Sequence, residues 1–348
     1  MPGNSFGKSL VLTSFGESHG VAVGGVLDGF PAGVVIDFSF IQSEIDRRRS
    51  GMDFYASSRN EPDKIEILSG IFQGKSTGAP IAFLVYNHDQ KPGDYDHLGN
   101  VYRPSHADYT WQQKFGIRDP RGGGRASARE TLVRVAAGAF AKILLNRQGI
   151  QVCGRVSRIG EFIIGEGRKA ELRVNDRWAA DPDDPALVAY LGQLKLAGDT
   201  TGGVIACSIT GVPAGLGEPV FDKLQADLAR AMMSINSVKG FEYGSGFAGS
   251  SMKGSEHNDR FTGQNGVIRT LTNHSGGIQG GISNGEEIFF CVAFKPVSTL
   301  MMDQETVTTS GEPVIFSGRG RHDVCVVPRA VVIVEAMAAL VIADHLLR

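Results

Sequence analysis

The sequence predicts an α+β fold: one compact unit of two pseudo-twofold halves, with sheets and helices layered around a shared core. Three observations predict it. β-branched runs alternate with helical patterns along the chain. A strand, turn and helix signature at residue 28 returns at residue 210. No Pro/Ser/Gly linker cleanly divides the 348 residues, so residues 1–348 are read as a single domain.

The first half opens with strand-like runs at 10–13 and 21–28, then Asp28-Gly29-Phe30-Pro31-Ala32-Gly33 and a helical pattern over 40–49. Ser39 to Gln42 fits a capping box for that helix. Asp46-Arg47-Arg48-Arg49 closes it, and three adjacent arginines cannot all face one way, so at most two serve a site. Strand-like runs follow at 64–72 and 80–86, then a helix over 127–148 that Gly149 stops. In the second half, strand-like runs at 151–164 and 204–212 lead into Thr210-Gly211-Val212-Pro213-Ala214-Gly215. A helix over 221–234 comes next, and Leu224-Gln225-Ala226-Asp227-Leu228 aligns with Ile41-Gln42-Ser43-Glu44-Ile45 after one inserted residue. A chance recurrence would give the turn alone; strand, turn and helix together indicate an internal duplication, with a period too long for a solenoid. A strand at 287–294 and a buried helix over 330–347 complete the half. That last stretch is interrupted by Glu335, Asp344 and His345, so it does not read as a membrane span. The polar, Asp/Pro-rich residues 175–185 read as an exposed loop.

Composition limits the function. Net charge is −2, so no global field draws in nucleic acid, yet residues 103–134 carry seven Lys/Arg against three Asp/Glu. Small anions suit that arrangement. Glycine reaches 46 residues, clustered at 122–124 and 276–281, as expected where backbone approaches a ligand. The cysteines Cys153, Cys207, Cys291 and Cys325 are far apart and lack a C-x-x-C pair, so reduced thiols and a cytoplasmic location are expected, with no signal peptide at the N-terminus. The eight histidines show no H-x-H or H-E-x-x-H spacing and no cysteine partner, so no metal is expected. Neither a P-loop nor a G-x-G-x-x-G opening a helix after a strand is present, which disfavours the common nucleotide folds.

The most informative segment is Arg121-Gly122-Gly123-Gly124-Arg125-Ala126-Ser127-Ala128-Arg129-Glu130-Thr131. A glycine-rich loop runs into a helix start, with Ser127 as N-cap and Glu130 at N3. Backbone N–H groups there favour anions, and Arg125 and Arg129 add forked donors suited to phosphate or carboxylate. Gly16-Glu17-Ser18-His19-Gly20 places His19, a group able to exchange protons near neutral pH, in a turn between strands. It is not a hydrolase nucleophile elbow, because a strand rather than a helix follows. Arg103-Pro104-Ser105-His106-Ala107-Asp108 supplies a second histidine beside an arginine, and Gly318-Arg319-Gly320-Arg321-His322-Asp323 supplies two arginines and an acid. Together these loops indicate a polyanionic small substrate and proton transfer.

These motifs, with Phe15 ahead of the first glycine turn, resemble the chorismate synthase family, and the resemblance runs from Asn4 to the C-terminal helix. It implies anti-1,4-elimination of phosphate from 5-enolpyruvylshikimate 3-phosphate to chorismate, on the shikimate pathway to aromatic amino acids. It also implies reduced FMN without net redox change, and a homotetramer of layered β-α-β subunits, without nucleic-acid or membrane partners. It assigns His19 to protonating the departing phosphate, His106 to protonating reduced flavin, and Asp323 to assisting proton removal at flavin N5. Nearby arginines would favour ionised Asp323 and disfavour doubly protonated histidines. Arg48, Arg103, Arg129 and Arg321 match anion- or substrate-binding arginines. Arg125, Ala126, Ser127, Asn236, Ser237, Gly280, Lys295, Pro296, Val297, Ser298, Thr299 and Arg321 match flavin-binding positions. Three departures stand out. Phe54 replaces an arginine credited with binding substrate or a pyridine-nucleotide phosphate (NADP), which weakens an NADPH site, with Arg59 the candidate substitute. Ser50 replaces a proline. Ser105 replaces a glycine, a costly exchange only if the position needs φ > 0. The alternatives are a non-catalytic flavin- or phosphate-binding protein on the same scaffold, which would not need both histidines and Asp323, and an RNA-binding protein. The latter wants aromatic platforms and a basic face, against 8% aromatics and a negative net charge here.

Overall fold

The computed structural model describes residues 3–49, 62–88, 99–121, 123–164, 184–318 and 323–348. Strands β1 (Ser5–Phe6), β2 (Val11–Gly16), β3 (Ala22–Asp28), β4 (Glu66–Ile67) and β7 (Ile81–Tyr86) form an antiparallel sheet in the order β1-β2-β3-β7-β4. With it go helix α1 (Phe38–Arg48), the small hairpin β5 (Ile71–Phe72) and β6 (Lys75–Ser76), and helix α3 (Thr131–Asn146). Between β7 and α3 lie β8 (Val101–Tyr102) and α2 (Asp108–Phe115).

The second half repeats the plan. Strands β9 (Gln151–Ile159), β10 (Phe162–Ile163), β11 (Gly203–Thr210), β12 (Val238–Tyr243) and β17 (Ile288–Phe294) form a sheet in the order β10-β9-β11-β17-β12. Helix α5 (Leu224–Met233) answers α1, the hairpin β15 (Ile278–Gln279) and β16 (Ile282–Ser283) answers β5 and β6, and α7 (Val327–Leu346) answers α3. The additions are α4 (Pro185–Ala197), the short α6 (Gly254–His257), the hairpin β13 (Phe261–Gln264) and β14 (Val267–Thr270), and β18 (Asp303–Thr308) with β19 (Pro313–Ser317) beside β8.

The repeated Pro-Ala-Gly turn has the same hydrogen bonds twice. Ser76 Oγ donates to the Pro31 carbonyl at 2.5 Å and accepts from Val34 N–H at 2.9 Å. Ser283 Oγ donates to the Pro213 carbonyl at 2.6 Å and accepts from Leu216 N–H at 2.9 Å. Gly33 N–H and Gly215 N–H donate to the carbonyls of those same serines at 2.8 and 2.9 Å. The duplication is therefore structural: each serine, on its small hairpin, locks the turn that launches the helix.

Helix α3 packs on β2 and β3, α7 packs on β9 and β11, and the two helices pack on each other, giving a β-α-β sandwich. Their contact is close because Gly138 lacks a side chain: a Cβ there would lie 2.3 Å from Ala336 Cβ and 2.5 Å from its Cα. Residues from Val327 to His345 in α7 are buried apart from Arg329, the all-round burial of a core helix. No described helix is long and apolar enough to cross a membrane.

A buried ionic quartet ties α1 to this layer. Glu335 of α7 accepts from Arg47 Nη1 at 2.7 Å, Arg47 Nη2 at 3.0 Å, Lys142 Nζ at 2.6 Å and Gly154 N–H at 2.8 Å. Glu44 accepts from Arg47 at 2.8 Å and from Lys142. The arginine triplet thus divides as expected: Arg47 turns inward, Arg48 turns toward the glycine-rich segment, and half-exposed Arg49 lies 3.6 Å from Asp46.

Several sequence expectations change. Asp37, not Ser39, caps α1: its carboxylate accepts from Phe40 N–H at 2.9 Å, and Ser39 donates to that same carboxylate. The run 64–72 is broken where Gly70 adopts φ 81, and the run 151–164 turns back at Gly160 (φ 53) so that β10 pairs with β9. Pro185, read as the end of a loop, is the first residue of α4, with Asp184 accepting from Ala186 N–H at 2.9 Å. Residues 175–183 of that loop lie outside the described residues. All four cysteines are unbridged.

Candidate active site

The His19 turn follows β2 and is held from two sides. Asn87, just beyond β7, donates from Nδ2 to the carbonyls of Glu17 at 3.1 Å and Gly20 at 2.8 Å. Ser18 N–H donates to the Gly124 carbonyl at 3.3 Å, which joins the turn to the glycine-rich loop. The His19 ring is buried, and its Nδ1 lies 2.7 Å from Ser18 Oγ, fixing the ring's rotation.

The glycine-rich segment enters α3 through a short 3₁₀ turn over residues 128–130. Ser127 Oγ caps it by accepting from Arg129 N–H at 3.3 Å. Glu130 does not complete a capping box; it pairs with Arg134 at 2.8 Å, one turn on. Arg129 is buried. Its Nε donates to Asn87 Oδ1 at 2.9 Å and its Nη1 to Asp63 Oδ1 at 2.6 Å. Its Nη2 is buried and has no hydrogen-bond partner among the described residues. Arg48 reaches the same place: Nε donates to Thr131 Oγ1 at 3.0 Å, Nη2 to the Ala128 carbonyl at 2.9 Å, and Nη1 stands 3.7 Å from Asp63 Oδ2.

His106 closes another side. Its Nδ1 lies 3.0 Å from the Pro104 carbonyl and its Nε2 3.1 Å from Thr299 Oγ1. Burial lowers its pKa, and the charges of Arg103 and Lys295 lower it further against the Pro104 carbonyl and Asp108, which favours the neutral ring. Lys295 N–H donates to the Ser237 carbonyl at 2.9 Å, Lys295 Nζ reaches Ser298 Oγ, and Ser298 Oγ donates to the Ser105 carbonyl at 3.2 Å. The Val297 carbonyl accepts from Thr200 Oγ1 at 2.7 Å, which fixes the middle of the 295–299 stretch that includes Pro296. Burial, then the Lys239 charge, lowers the Lys295 pKa. Asn236 donates from Nδ2 to the Ala126 carbonyl at 3.0 Å, while its Oδ1 is buried without a partner among the described residues. Asp323 accepts from Arg329 Nη1 at 2.7 Å, and Arg329 Nε donates to the Arg48 carbonyl at 3.3 Å.

A connected frame therefore holds His19, Arg48, Arg125, Ala126, Ser127, Arg129, Asn236, Ser237 and Asp323, with His106 and residues 295–299 joined to it through Ser237. Ser237 (φ 69) within it, and Asp63 (φ 45) and Ser105 (φ 57) bonded to it, are non-glycine residues in the left-handed region, and such strain concentrates at functional sites. Ser105 thus occupies a position that does require φ > 0.

Two of the arginines that the resemblance assigns to ligands are engaged by protein groups. Arg103 is held by Asp108 through Nε and Nη2, both at 2.8 Å; its Nη2 also lies 3.8 Å from where a Gly123 Cβ would be. Burial raises the Asp108 pKa, but hydrogen bonds and charge from Arg103, then Arg118, outweigh it and hold it low. Arg125 staples β2, donating to the carbonyls of Gly16 and Ser14, to Ser14 Oγ at 2.8 Å and to Asn4 Oδ1 at 3.0 Å.

No described hydrogen bond joins Gly280 to the frame. It occupies the turn between β15 and β16 beside the start of α5, where Gly281 accepts from Leu224 N–H; Asn236 lies past the other end of that helix, about 15 Å away for ten residues. Arg321, Gly320, His322, Phe54, Arg59 and Ser50 lie outside the described residues. Sequence reasoning missed Asp63 and Asn87, which carried no signal beyond their place beside strands. Among the described residues no cluster of three His, Cys, Asp or Glu could hold a metal.

The chain matches the family model described as chorismate synthase over residues 10–347. It is 55% identical to a chorismate synthase of Phocaeicola vulgatus, covering 99% of this chain and 98% of that one. A chorismate synthase of Christiangramia forsetii is also 55% identical, over 100% and 98%. A crystal structure of a chorismate synthase superimposes with a TM-score of 0.77 at 31% identity, covering 98% of this chain and 92% of the other.

Proposed function

The chain belongs to the chorismate synthase family, and from that premise we propose how its residues divide the reaction. The protein is an enzyme, a lyase that releases phosphate from 5-enolpyruvylshikimate 3-phosphate to give chorismate on the shikimate pathway, and it works with a flavin. The flavin is FMN in its reduced form. The whole chain acts as one domain and assembles as a homotetramer; exposed Phe221, Phe247 and Ile268 support the assembly, being apolar surface without cover in one subunit.

The observation that carries the site reading is Arg129. Asn87 fixes its guanidinium to the His19 turn, and its Nη2 is buried and unpartnered among the described residues. An anion-binding donor and a proton donor thus share one rigid support. Asn236 Oδ1, an orphaned buried acceptor beside the Ala126 carbonyl, suits a planar group carrying ring N–H and carbonyl functions, and the 295–299 stretch borders it through Ser237. Those residues, with Arg125 to Ser127, would hold the flavin, which when bound supplies electron density and a basic ring nitrogen to the substrate.

In the elimination a C–H bond and the C–O bond to phosphate break in 1,4 relationship, and the electron pair of the first ends in the new diene. Arg129 and Arg48 bind and orient an anionic group of the substrate. His19 gives a proton to the departing phosphate oxygen. His106, neutral and hydrogen-bonded through Nδ1 and Nε2, holds a proton beside the cofactor, and Asp323, oriented by Arg329, receives the proton relayed from the substrate. Arg103 shares its charge between Asp108 and the bound anions.

The test is anaerobic turnover of 5-enolpyruvylshikimate 3-phosphate with chemically reduced FMN, following chorismate absorbance and phosphate release. Stoichiometric formation of both is expected. Folded protein that binds FMN and gives no product would favour a non-catalytic flavin-binding role.

A further inference from the structure

Asp63 has no place in the roles just given, yet it sits at the centre of the arginine pair. It is 2% exposed, on a left-handed backbone (φ 45) that Gln42 of α1 holds from both sides. Gln42 Nε2 donates to the Asp63 carbonyl at 3.2 Å, and Gln42 Oε1 accepts from Ile65 N–H at 3.3 Å. One carboxylate oxygen takes Arg129 Nη1 at 2.6 Å, and the other faces Arg48 Nη1 at 3.7 Å. Asn87 takes Arg129 Nε, so two buried acceptors fix that guanidinium in its plane and leave Nη2 without a hydrogen-bond partner among the described residues. A backbone held in an uncommon conformation to deliver one carboxylate between two guanidinium groups is a feature of a preorganised site.

Net charge on the trio is +1, from two arginines and one aspartate. A carboxylate inside an anion site works against binding by its charge alone. Its benefit has to come from geometry: without it, two buried like charges would separate, and a displacement of about 1 Å in a binding group can cost about a hundredfold in rate.

We propose that Asp63 is a positioning residue for the reaction. Its carboxylate holds Arg48 and Arg129 as one fixed pair, so that Arg129 Nη2 meets an anionic group of the substrate, a phosphate or carboxylate. The inference rests on the reading of Arg129 as a substrate-binding residue.

Charge and position make opposite forecasts. Inorganic phosphate binding by titration calorimetry, KM and kcat for 5-enolpyruvylshikimate 3-phosphate, and melting temperature would be compared for the whole enzyme and for R129A, D63N and D63E. Positioning predicts that D63N weakens phosphate binding and raises KM roughly tenfold or more. It predicts the same direction for D63E, which keeps the charge and moves it by one methylene. Phosphate binding in D63N as tight as native or tighter overturns the inference, because the carboxylate would then only offset charge. So does a D63E enzyme with native KM, or a lower melting temperature with phosphate affinity and KM unchanged. Should D63N fail to fold, D63E decides alone. If R129A leaves phosphate binding unchanged, the reading of Arg129 fails first; if R129A weakens it and both Asp63 variants do not, the Asp63 inference alone fails.

Discussion

Replacing Glu335 by Gln tests the buried quartet that fixes the end of α1. Glu335 is 3% exposed and accepts four hydrogen bonds, two from Arg47, one from Lys142 and one from the Gly154 backbone. Burial raises its pKa, but the Lys142 charge and the Arg47 hydrogen bonds more than reverse this and hold it at about 2, against an ordinary 4.5. That difference corresponds to about 3 kcal/mol of stability at neutral pH. The variant leaves Arg47 and Lys142 buried with Glu44 as their remaining carboxylate within the quartet. Stranding a buried charge in this way costs about 3–5 kcal/mol, in agreement with the pKa argument. The sign with pH is fixed as well. The folded pKa is depressed, so the stabilisation is present above pH 4.5 and lost as pH falls from there toward 2. Urea unfolding at one fixed protomer concentration should show Glu335→Gln less stable by about 3–5 kcal/mol at pH 7, with the gap to native narrowing below pH 4.5. A gap under about 1 kcal/mol at pH 7, or one that keeps its size down to pH 3, would refute the reasoning.

Ser105→Gly removes a left-handed serine at φ 57, worth about 1–2 kcal/mol, and adds about 0.4–1 kcal/mol of chain entropy to lose on folding. The expected result is a protein stabilised by roughly 0.5–1 kcal/mol, and a lower unfolding midpoint would contradict it. Gly138→Ala would gain about 1 kcal/mol from helix propensity in an open helix. Here its Cβ meets Ala336 Cα at 2.5 Å, so net destabilisation of about 1–3 kcal/mol is expected by thermal or urea unfolding, and a gain would show that the helices move apart freely. His19→Ala and His106→Ala should each lower the single-turnover rate with reduced FMN by roughly 10²–10⁴, and losses below tenfold in both would end their proton-transfer roles.

Local rules made the layered fold readable. The Pro-Ala-Gly turns repeat because each must place a glycine at positive φ (Gly33 at 78, Gly215 at 113) and dock on a hairpin serine, so turn and helix recur together in the sequence. The helices of the central layer announced themselves by apolar content. Helix α4 was hidden because, among the residues called buried in it, only Leu187 and Leu191 face the core, and its start is a Pro in a polar stretch. The hairpin of β13 and β14 was hidden for the converse reason: Phe261, Val267 and Ile268 point outward, so no inside-outside alternation marks it. In the site, arginines and histidines were visible as residue types in glycine-rich loops. Which arginines remain uncommitted was not visible, since that depends on carboxylates such as Asp108, five residues from Arg103, and Asp63, 66 residues from Arg129. Pairing across such distances leaves no periodicity to read.

The duplication also accounts for where the chemistry sits. In each half a peripheral helix ends near the point where the other half's central helix begins. The end of α1 meets the start of α7, where Arg329 donates to the Arg48 carbonyl; the region after α5 meets the segment entering α3, where Asn236 donates to the Ala126 carbonyl. The two contacts correspond in place but not in chemistry: the donor sits on the central helix in the first and beyond the peripheral helix in the second, and both lie near the N-terminal ends of the central helices, where backbone dipoles favour anions. The two halves then bring different chemistry to this region. The first half contributes Arg48 and Arg129 and the His19 turn; the second contributes Asn236, Ser237 and Asp323. On the proposed roles, an arginine- and histidine-bearing half faces an amide- and carboxylate-bearing half, and the Gly138–Ala336 contact sets how closely the two meet.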